Sequence, residues 1–256
     1  MKVVLLAGGL GTRIREETEF RPKPMILVGT KPILWHLMRI YAHHGHNEFV
    51  VCAGYRGEVI REYFREFDSL NFDFTVKVGT KSEIKYHDRT EEKELEVTVT
   101  DTGQETMTGG RLFKARKYLG NDTFLCTYGD GLSDVNISKV IDFHKKHGKI
   151  ATLTAVRPPS RFGVVEIEQD GSVSNFREKP KSEGWINAGF FVFNSKIFDY
   201  LDEKSILENE PLDKLSKENN LMAYKHDGYW QPMDTLREMT LLNELWAKNE
   251  APWKVW

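Results

Sequence analysis

The chain has 256 residues, 40% hydrophobic and 29% charged, and 36 Lys+Arg against 38 Asp+Glu leave a formal net charge of -2. That balance excludes wholesale disorder and a polycation seeking nucleic acid or an anionic membrane, and the length suits one large α/β domain or one domain with a small insert. The two cysteines, Cys52 and Cys126, both lie inside apolar runs and are too few for a disulfide framework or a zinc site of four cysteines, so a reducing compartment is expected.

The N-terminal apolar run, Met1 to Ala7, is shorter than a signal-peptide core, and no stretch approaches the ~18 apolar residues of a membrane span. A soluble cytoplasmic protein is expected. Lys2 to Ala7 reads as a strand ending in glycines. Leu34, Leu37, Met38 and Tyr41 follow at i, i+3, i+4, i+7 behind Pro32, the spacing of one helix face. Glu48 to Ala53 is a second strand, Glu58 to Phe67 a second helix, Phe72 to Val76 a third strand, and Arg111 to Leu119 a helix stopped by Gly120. Phe124 to Tyr128 is a strand closed by Gly129-Asp130-Gly131. Ile137, Val140, Ile141 and His144 mark a helix ending at Gly148, and Ala151 to Val156 is another strand. Strands alternating with helices call for an α/β fold, a mixed but mostly parallel central sheet with helices on both faces and ligands at the carboxyl ends of its strands. Val164 to Ile167, Val173 to Glu178 and Ile186 to Phe193 then read as an antiparallel or mixed continuation of the same unit. The polar, poorly periodic stretch around 78–100 reads as an excursion from the sheet. Thr235 to Lys248 closes the chain as an amphipathic helix, and Trp253 and Trp256 suggest a tail that is tied down. We therefore read residues 1–256 as a single domain.

The first turn, Leu6-Ala7-Gly8-Gly9-Leu10-Gly11-Thr12-Arg13, puts three glycines after a strand, where backbone N–H groups approach phosphates closely; Arg13 and Thr12 add a cation and a hydroxyl. It fits neither a dinucleotide turn, since Ile14 stands where a third glycine is needed, nor a P-loop, since no Gly-Lys-[Ser/Thr] follows. Glycine spacing alone is equally compatible with a plain tight turn. Arg21-Pro22-Lys23-Pro24-Met25 adds a lysine held between two prolines, suited to polyphosphate; the plain alternative is an exposed proline-rich loop outside the core.

Together these segments resemble the sugar-phosphate nucleotidyltransferase family, whose signature is Gly-Gly-x-Gly-Thr-Arg followed by Pro-Lys-Pro. The resemblance runs along essentially the whole chain, through Gly129-Asp130-Gly131, Arg161-Phe162-Gly163-Val164-Val165, Phe176-Arg177-Glu178-Lys179-Pro180, Trp185-Ile186-Asn187-Ala188-Gly189 and Gln231-Pro232-Met233-Asp234-Thr235. It implies a Rossmann-like fold of the nucleotide-diphospho-sugar transferase type, with a sugar-binding part around 158–235. It further implies that Leu6, Ala7, Gly8, Gly9, Gly11, Thr12, Arg13, Lys23, Thr108, Gly109, Arg111 and Gly129 bind nucleotide. Gly163, Glu178, Lys179 and Asn187 would bind the sugar phosphate, Asp130 and Asp234 would hold Mg²⁺, and Lys23, Arg13 and Asp130 would carry catalysis.

Met107-Thr108-Gly109-Gly110-Arg111, Lys31-Pro32-Ile33-Leu34-Trp35-His36 and the tail Ala251-Pro252-Trp253-Lys254-Val255-Trp256 are similar to the cytidylyl branch, with Gln104-Glu105 a local departure. That implies CTP and glucose 1-phosphate as substrates, CDP-glucose and pyrophosphate as products, and a homo-oligomer, a hexamer by resemblance. A uridylyl- or thymidylyltransferase shares the phosphate-handling residues, and a non-catalytic sugar-nucleotide-sensing module is a further alternative. His43, His44 and His46 read as a solvated helix end rather than a metal cluster, Asp88 to Glu96 as a wet charged face, and Glu166 with Glu178 as a poor glycosidase pair.

Overall fold

A computed structural model describes residues 1–79, 83–87, 94–158, 163–178 and 184–256. Its centre is a seven-stranded sheet built from β1 (Val3–Ala7), β2 (Glu48–Ala53), β3 (Glu96–Asp101), β4 (Phe124–Tyr128), β5 (Ala151–Val156), β6 (Ile186–Phe193) and β7 (Leu221–His226), in the order β7-β5-β6-β4-β1-β2-β3. β1 pairs in parallel with β2 and β4, β2 with β3, and β5 with β7; β6 alone runs the other way, between β4 and β5. The chain builds outward on one side of β1 to β3 and then crosses to β4 on the other side. The carboxyl ends of β1 and β4 thus flank the crevice where such sheets bind ligands.

Side chains alternate across each strand, so β1 feeds two cores. Val3, Leu5 and Ala7 face Leu34, Leu37, Met38 and Tyr41 of α1 (Ile33–His43) and Val140 and Ile141 of α4 (Ile137–His147). Val4 and Leu6 face Leu112 and Ala115 of α3 (Thr108–Ala115) and Leu212 and Leu215 of α5 (Glu210–Lys217). Helix α2 (Gly57–Arg65) lies along β3. Cys52 and Cys126 are buried and unpaired, and burial raises both thiols, Cys52 to about 12. Among the described residues no helix is long and apolar enough to cross a membrane.

The terminal tail is fixed by aromatic packing. Trp253 is fully buried, stacks on Trp246 and Tyr229, and donates its indole N–H to His36 Nδ1 at 3.4 Å. His36 Nε2 lies 2.9 Å from the Val28 carbonyl, so the ring serves the fold as donor at one nitrogen and acceptor at the other. Burial lowers its pKa to about 4, keeping it neutral. His44 and His46 contact Ser138 Oγ and the N-terminal amine, and among the described residues no three or more His, Cys, Asp or Glu side chains form a metal cage.

Four expectations are corrected. The third sheet strand is not Phe72–Val76; Phe74–Lys77 pairs antiparallel with Glu83–Tyr86 in a separate exposed ribbon, because the edge of β2 is taken by β3. The excursion therefore ends at Leu95, and Glu96–Asp101 belongs to the sheet. Val164–Ile167 and Val173–Arg177 form another exposed two-stranded ribbon rather than continuing the sheet, so only β6 does so. The helix read from Arg111 starts at Thr108, where Gly109 and Gly110 let it pack under the 203–205 backbone; a Cβ on Gly110 would stand 2.2 Å from the Glu203 carbonyl oxygen.

Candidate functional site

The glycine turn after β1 owes its shape to two close approaches. Gly11 has φ of 64°, where a Cβ would also sit 2.6 Å from Thr18 Cγ2, and its carbonyl accepts from Ile14 N and Thr18 Oγ1, both at 3.1 Å. Gly8 lies against the Arg111 guanidinium, 2.0 Å from where a Cβ would be. Only glycine permits both.

Arg111 is 4% exposed and spends its donors on the protein, reaching Gly8 O at 2.8 Å, Gly103 O at 2.8 Å, Thr102 Oγ1 at 2.7 Å and Gln104 O at 3.1 Å. It ties the turn after β1 to the loop after β3. Burial pulls its pKa below the ordinary guanidinium value, opposed by weaker attractions to Cys52 and Asp101. Its hydrogen bonds to neutral carbonyl and hydroxyl oxygens still satisfy it as a cation.

Residues Pro22 to Met25 are buried, not an exposed loop. Pro22 is extended (φ -70°, ψ 151°) and starts a single 3-10 turn, Lys23–Met25, closed by Met25 N on the Pro22 carbonyl at 2.8 Å. The turn sends Lys23 to the carboxyl end of β4, 7% exposed, where its Nζ donates to Asp130 Oδ2 at 2.8 Å and to Asp234 Oδ1. Arg13 Nη1 donates to the other Asp234 oxygen while most of the Arg13 side chain stays exposed. Two cations and two carboxylates thus share one spot at the mouth of β4.

Each aspartate is held by its neighbours. Gly129 lets β4 end against the proline turn, since a Cβ there would meet Pro24 Cγ at 2.7 Å and Leu6 O at 3.0 Å. Asp130 O accepts from Met233 N at 2.8 Å, and Gly131–Ser133 pairs with Trp230–Pro232, which carries Asp234 to the same place. Asp234 immediately precedes the N-cap of α6 (Leu236–Ala247). Thr235 and Glu238 form a capping box there, and Glu238 Oε2 also accepts from Asp234 N at 2.7 Å. Thr-x-x-Glu before an apolar run is the signal in the sequence for this anchor.

A cavity of about 580 Å³ opens beside this cluster, lined by Leu6 through Arg13, Lys23, Pro24, Gln104 through Thr108, Arg111, Tyr128, Gly129, Asp130 and Glu208. The structure therefore gathers all but one of the residues read as nucleotide contacts. Gly109 does not line the cavity and is instead buried against Ser205, 2.8 Å from its carbonyl oxygen at the Cβ position. Asn187, at the start of the reversed strand β6, lies beside the carboxyl end of β4, its amide 3.3 Å from Tyr128 OH. Gly163 and Glu178 sit together at the base of the exposed ribbon, the Glu178 Oε2 3.1 Å from where a Gly163 Cβ would be, and Lys179 lies outside the described residues. Tyr128 and Glu208 were not foreseen: nothing in Leu207-Glu208-Asn209 marks that carboxylate as facing a cavity.

Comparison with known proteins places the chain. A family model described as Nucleotidyl transferase matches residues 2–239. A glucose-1-phosphate cytidylyltransferase of Salmonella typhi is 50% identical over 259 residues, covering 100% of each chain. A probable glucose-1-phosphate cytidylyltransferase of Bacillus subtilis is 42% identical over 258 residues, again covering 100% of both. A UTP-bound UGPase from Acinetobacter baumannii superposes with a TM-score of 0.70 at 18% identity, covering 97% of this chain and 93% of that one, and it speaks to the fold alone.

Proposed function

The chain belongs to the nucleotidyl transferase family, and from that premise we propose that it transfers CMP from CTP to α-D-glucose 1-phosphate, releasing pyrophosphate and giving CDP-glucose. The carrying observation is full-length identity of 50% to a glucose-1-phosphate cytidylyltransferase. Its structural support is Arg13, Lys23, Asp130 and Asp234 meeting beside the glycine turn.

The chemistry asks little of proton transfer. A sugar phosphate has a second pKa of about 6 and attacks as a dianion, so the site must bring two polyanions together and stabilise charge on the α-phosphate and the departing pyrophosphate. The backbone N–H groups of Gly8 to Gly11 cradle the triphosphate. Arg13 and Lys23 supply preorganised positive charge at the reacting phosphate. Gly163, Glu178 and Asn187 take the hexose, and Lys179 holds the attacking phosphate.

Two carboxylates converging on one cation offer the hard oxygen donors that Mg²⁺ takes alongside phosphates and waters, so the residues fit that ion. Asp130 and Asp234 would hold it, and it would supply charge neutralisation on the phosphates. Two buried unpaired thiols support a reducing, cytoplasmic setting, and assembly as a homo-oligomer belongs to the same reading. The test is a panel of CTP, UTP, dTTP and GTP with glucose 1-phosphate, scored by pyrophosphate release. CTP should be strongly preferred; equal or faster turnover with dTTP or UTP would refute the base assignment.

A further inference from the structure

Glu208 stands on the cavity wall in a segment fixed from both sides. Leu207, next to it, is fully buried, and Leu207 N donates to Thr108 Oγ1 at 3.0 Å. Gly110 N donates to Ser205 O at 2.9 Å, so the N-terminal turn of α3 and the 203–207 segment are one packed unit. The carboxylate is clamped in turn. Its Oε2 accepts from Thr108 Oγ1 at 2.6 Å, and its Oε1 accepts from Tyr128 OH. Burial and the Glu208 charge push the Tyr128 phenol well above its ordinary range, so it remains a donor. Asn187 Nδ2, 3.3 Å from Tyr128 OH, extends the chain of hydrogen bonds from α3 to the start of β6.

Asp130 in the same cavity is paired with Lys23, whereas Glu208 accepts, among the described residues, only from two hydroxyls, so a neutral part of a substrate rather than a phosphate suits its charge. Each carboxylate oxygen accepts two hydrogen bonds, and one on each is used. The clamp leaves a rigid pair of acceptor sites on an exposed side chain, between the nucleotide loop (Thr108) and the strand expected to meet the hexose (Asn187). Two parallel acceptors match two neighbouring hydroxyls. We propose that Glu208 is a substrate-binding residue that accepts hydrogen bonds from vicinal hydroxyls of a sugar ring, the ribose of the nucleotide or the hexose of the acceptor. The proposal rests on the transfer reaction given above and adds a contact to it.

Calorimetric titration of the parent, Glu208→Gln and Tyr128→Phe tests it, using CTP and its 2′- and 3′-deoxy analogues, and glucose 1-phosphate and its monodeoxy analogues. Glu208→Gln should weaken one substrate by about 10-fold or more, the scale of a hydrogen bond to a charged group, and leave the other within about 2-fold. Removing the contacted hydroxyl should cost the parent a similar factor and cost Glu208→Gln little, because the partner is already gone. Penalties in the CTP series assign the ribose, and penalties in the hexose series assign the acceptor. Tyr128→Phe should keep the deoxy penalty, since the carboxylate remains.

Deoxy penalties of equal size in parent and Glu208→Gln would overturn the proposal. So would a coupling that appears only when CTP is replaced by UTP, which would make the partner the base, or a Tyr128→Phe that loses the deoxy penalty as Glu208→Gln does, which would make Glu208 a prop for the phenol. Parent turnover is scored in parallel. Its absence would sink the functional reading, normal turnover with additive penalties would sink only the role of Glu208, and a parent that binds neither substrate would overturn both.

Discussion

Replacing Lys23 by methionine keeps the unbranched stem in its buried slot and deletes the charge that Asp130 and Asp234 share. Since Asp130 Oδ2 lies 2.8 Å from Nζ and Asp234 Oδ1 contacts the same ammonium, the carboxylates are left roughly 5 Å apart, where two like charges repel by about 3 kcal/mol at an effective dielectric of about 20. The carboxylate side chains are 28% and 12% exposed and Arg13 still pairs with Asp234, so solvent screening and that cation reduce the repulsion to about 1–2 kcal/mol. For a domain of this size that is a melting point lower by about 2–8 °C in EDTA, recovering when Mg²⁺ is added. The kinetic effect should be larger. Loss of one preorganised charge at the reacting phosphate costs at least about 100-fold in kcat/KM, and saturating Mg²⁺ should not restore it. Differential scanning fluorimetry with and without Mg²⁺, beside pyrophosphate-release kinetics, reads both. A folded Lys23→Met with near-normal kcat/KM would refute the role of Lys23, and a melting point indifferent to both substitution and Mg²⁺ would refute the shared-charge account.

Asp130→Asn and Asp234→Asn should each raise the Mg²⁺ concentration needed for turnover, and EDTA should abolish activity in the parent; titration curves that overlay the parent's would move the metal elsewhere. Lys179→Ala should weaken glucose 1-phosphate much more than CTP in separate binding titrations, whereas an equal loss for both would place the acceptor phosphate on another residue.

Local sequence determined the elements whose burial is written into consecutive residues. Val3 to Ala7 is a continuous apolar run and Phe124 to Tyr128 one broken only by Thr127, because both faces of those strands are covered, and Gly8, Gly11 and Gly129 follow because the backbone there tolerates no Cβ. Thr235 and Glu238 carried their own cap. The segments that meet at the cavity were legible for the same reason: glycine turn, Pro-Lys-Pro and Gly-Asp-Gly are short, local patterns.

What the chain brings together from afar was decided only in the fold. Glu96–Asp101 looks polar because an edge strand is covered on one side at most, and its place beside β2 depends on a pairing with Glu48–Ala53 that neither segment encodes alone. The ribbon 164–177 has strand composition but finds no sheet edge among the described residues, because β6 fills the place between β4 and β5. Arg111 is a nucleotide contact by resemblance in sequence, and only the fold shows that its guanidinium donates to four loop oxygens where β1, β3 and α3 meet around it. Glu208 acquires meaning only when Tyr128 and Thr108, 80 and 100 residues away, close on its carboxylate. Residue type and spacing specify an element because backbone preference and burial act over a few residues; a cavity wall assembled from distant segments depends on their packing, which no single window contains.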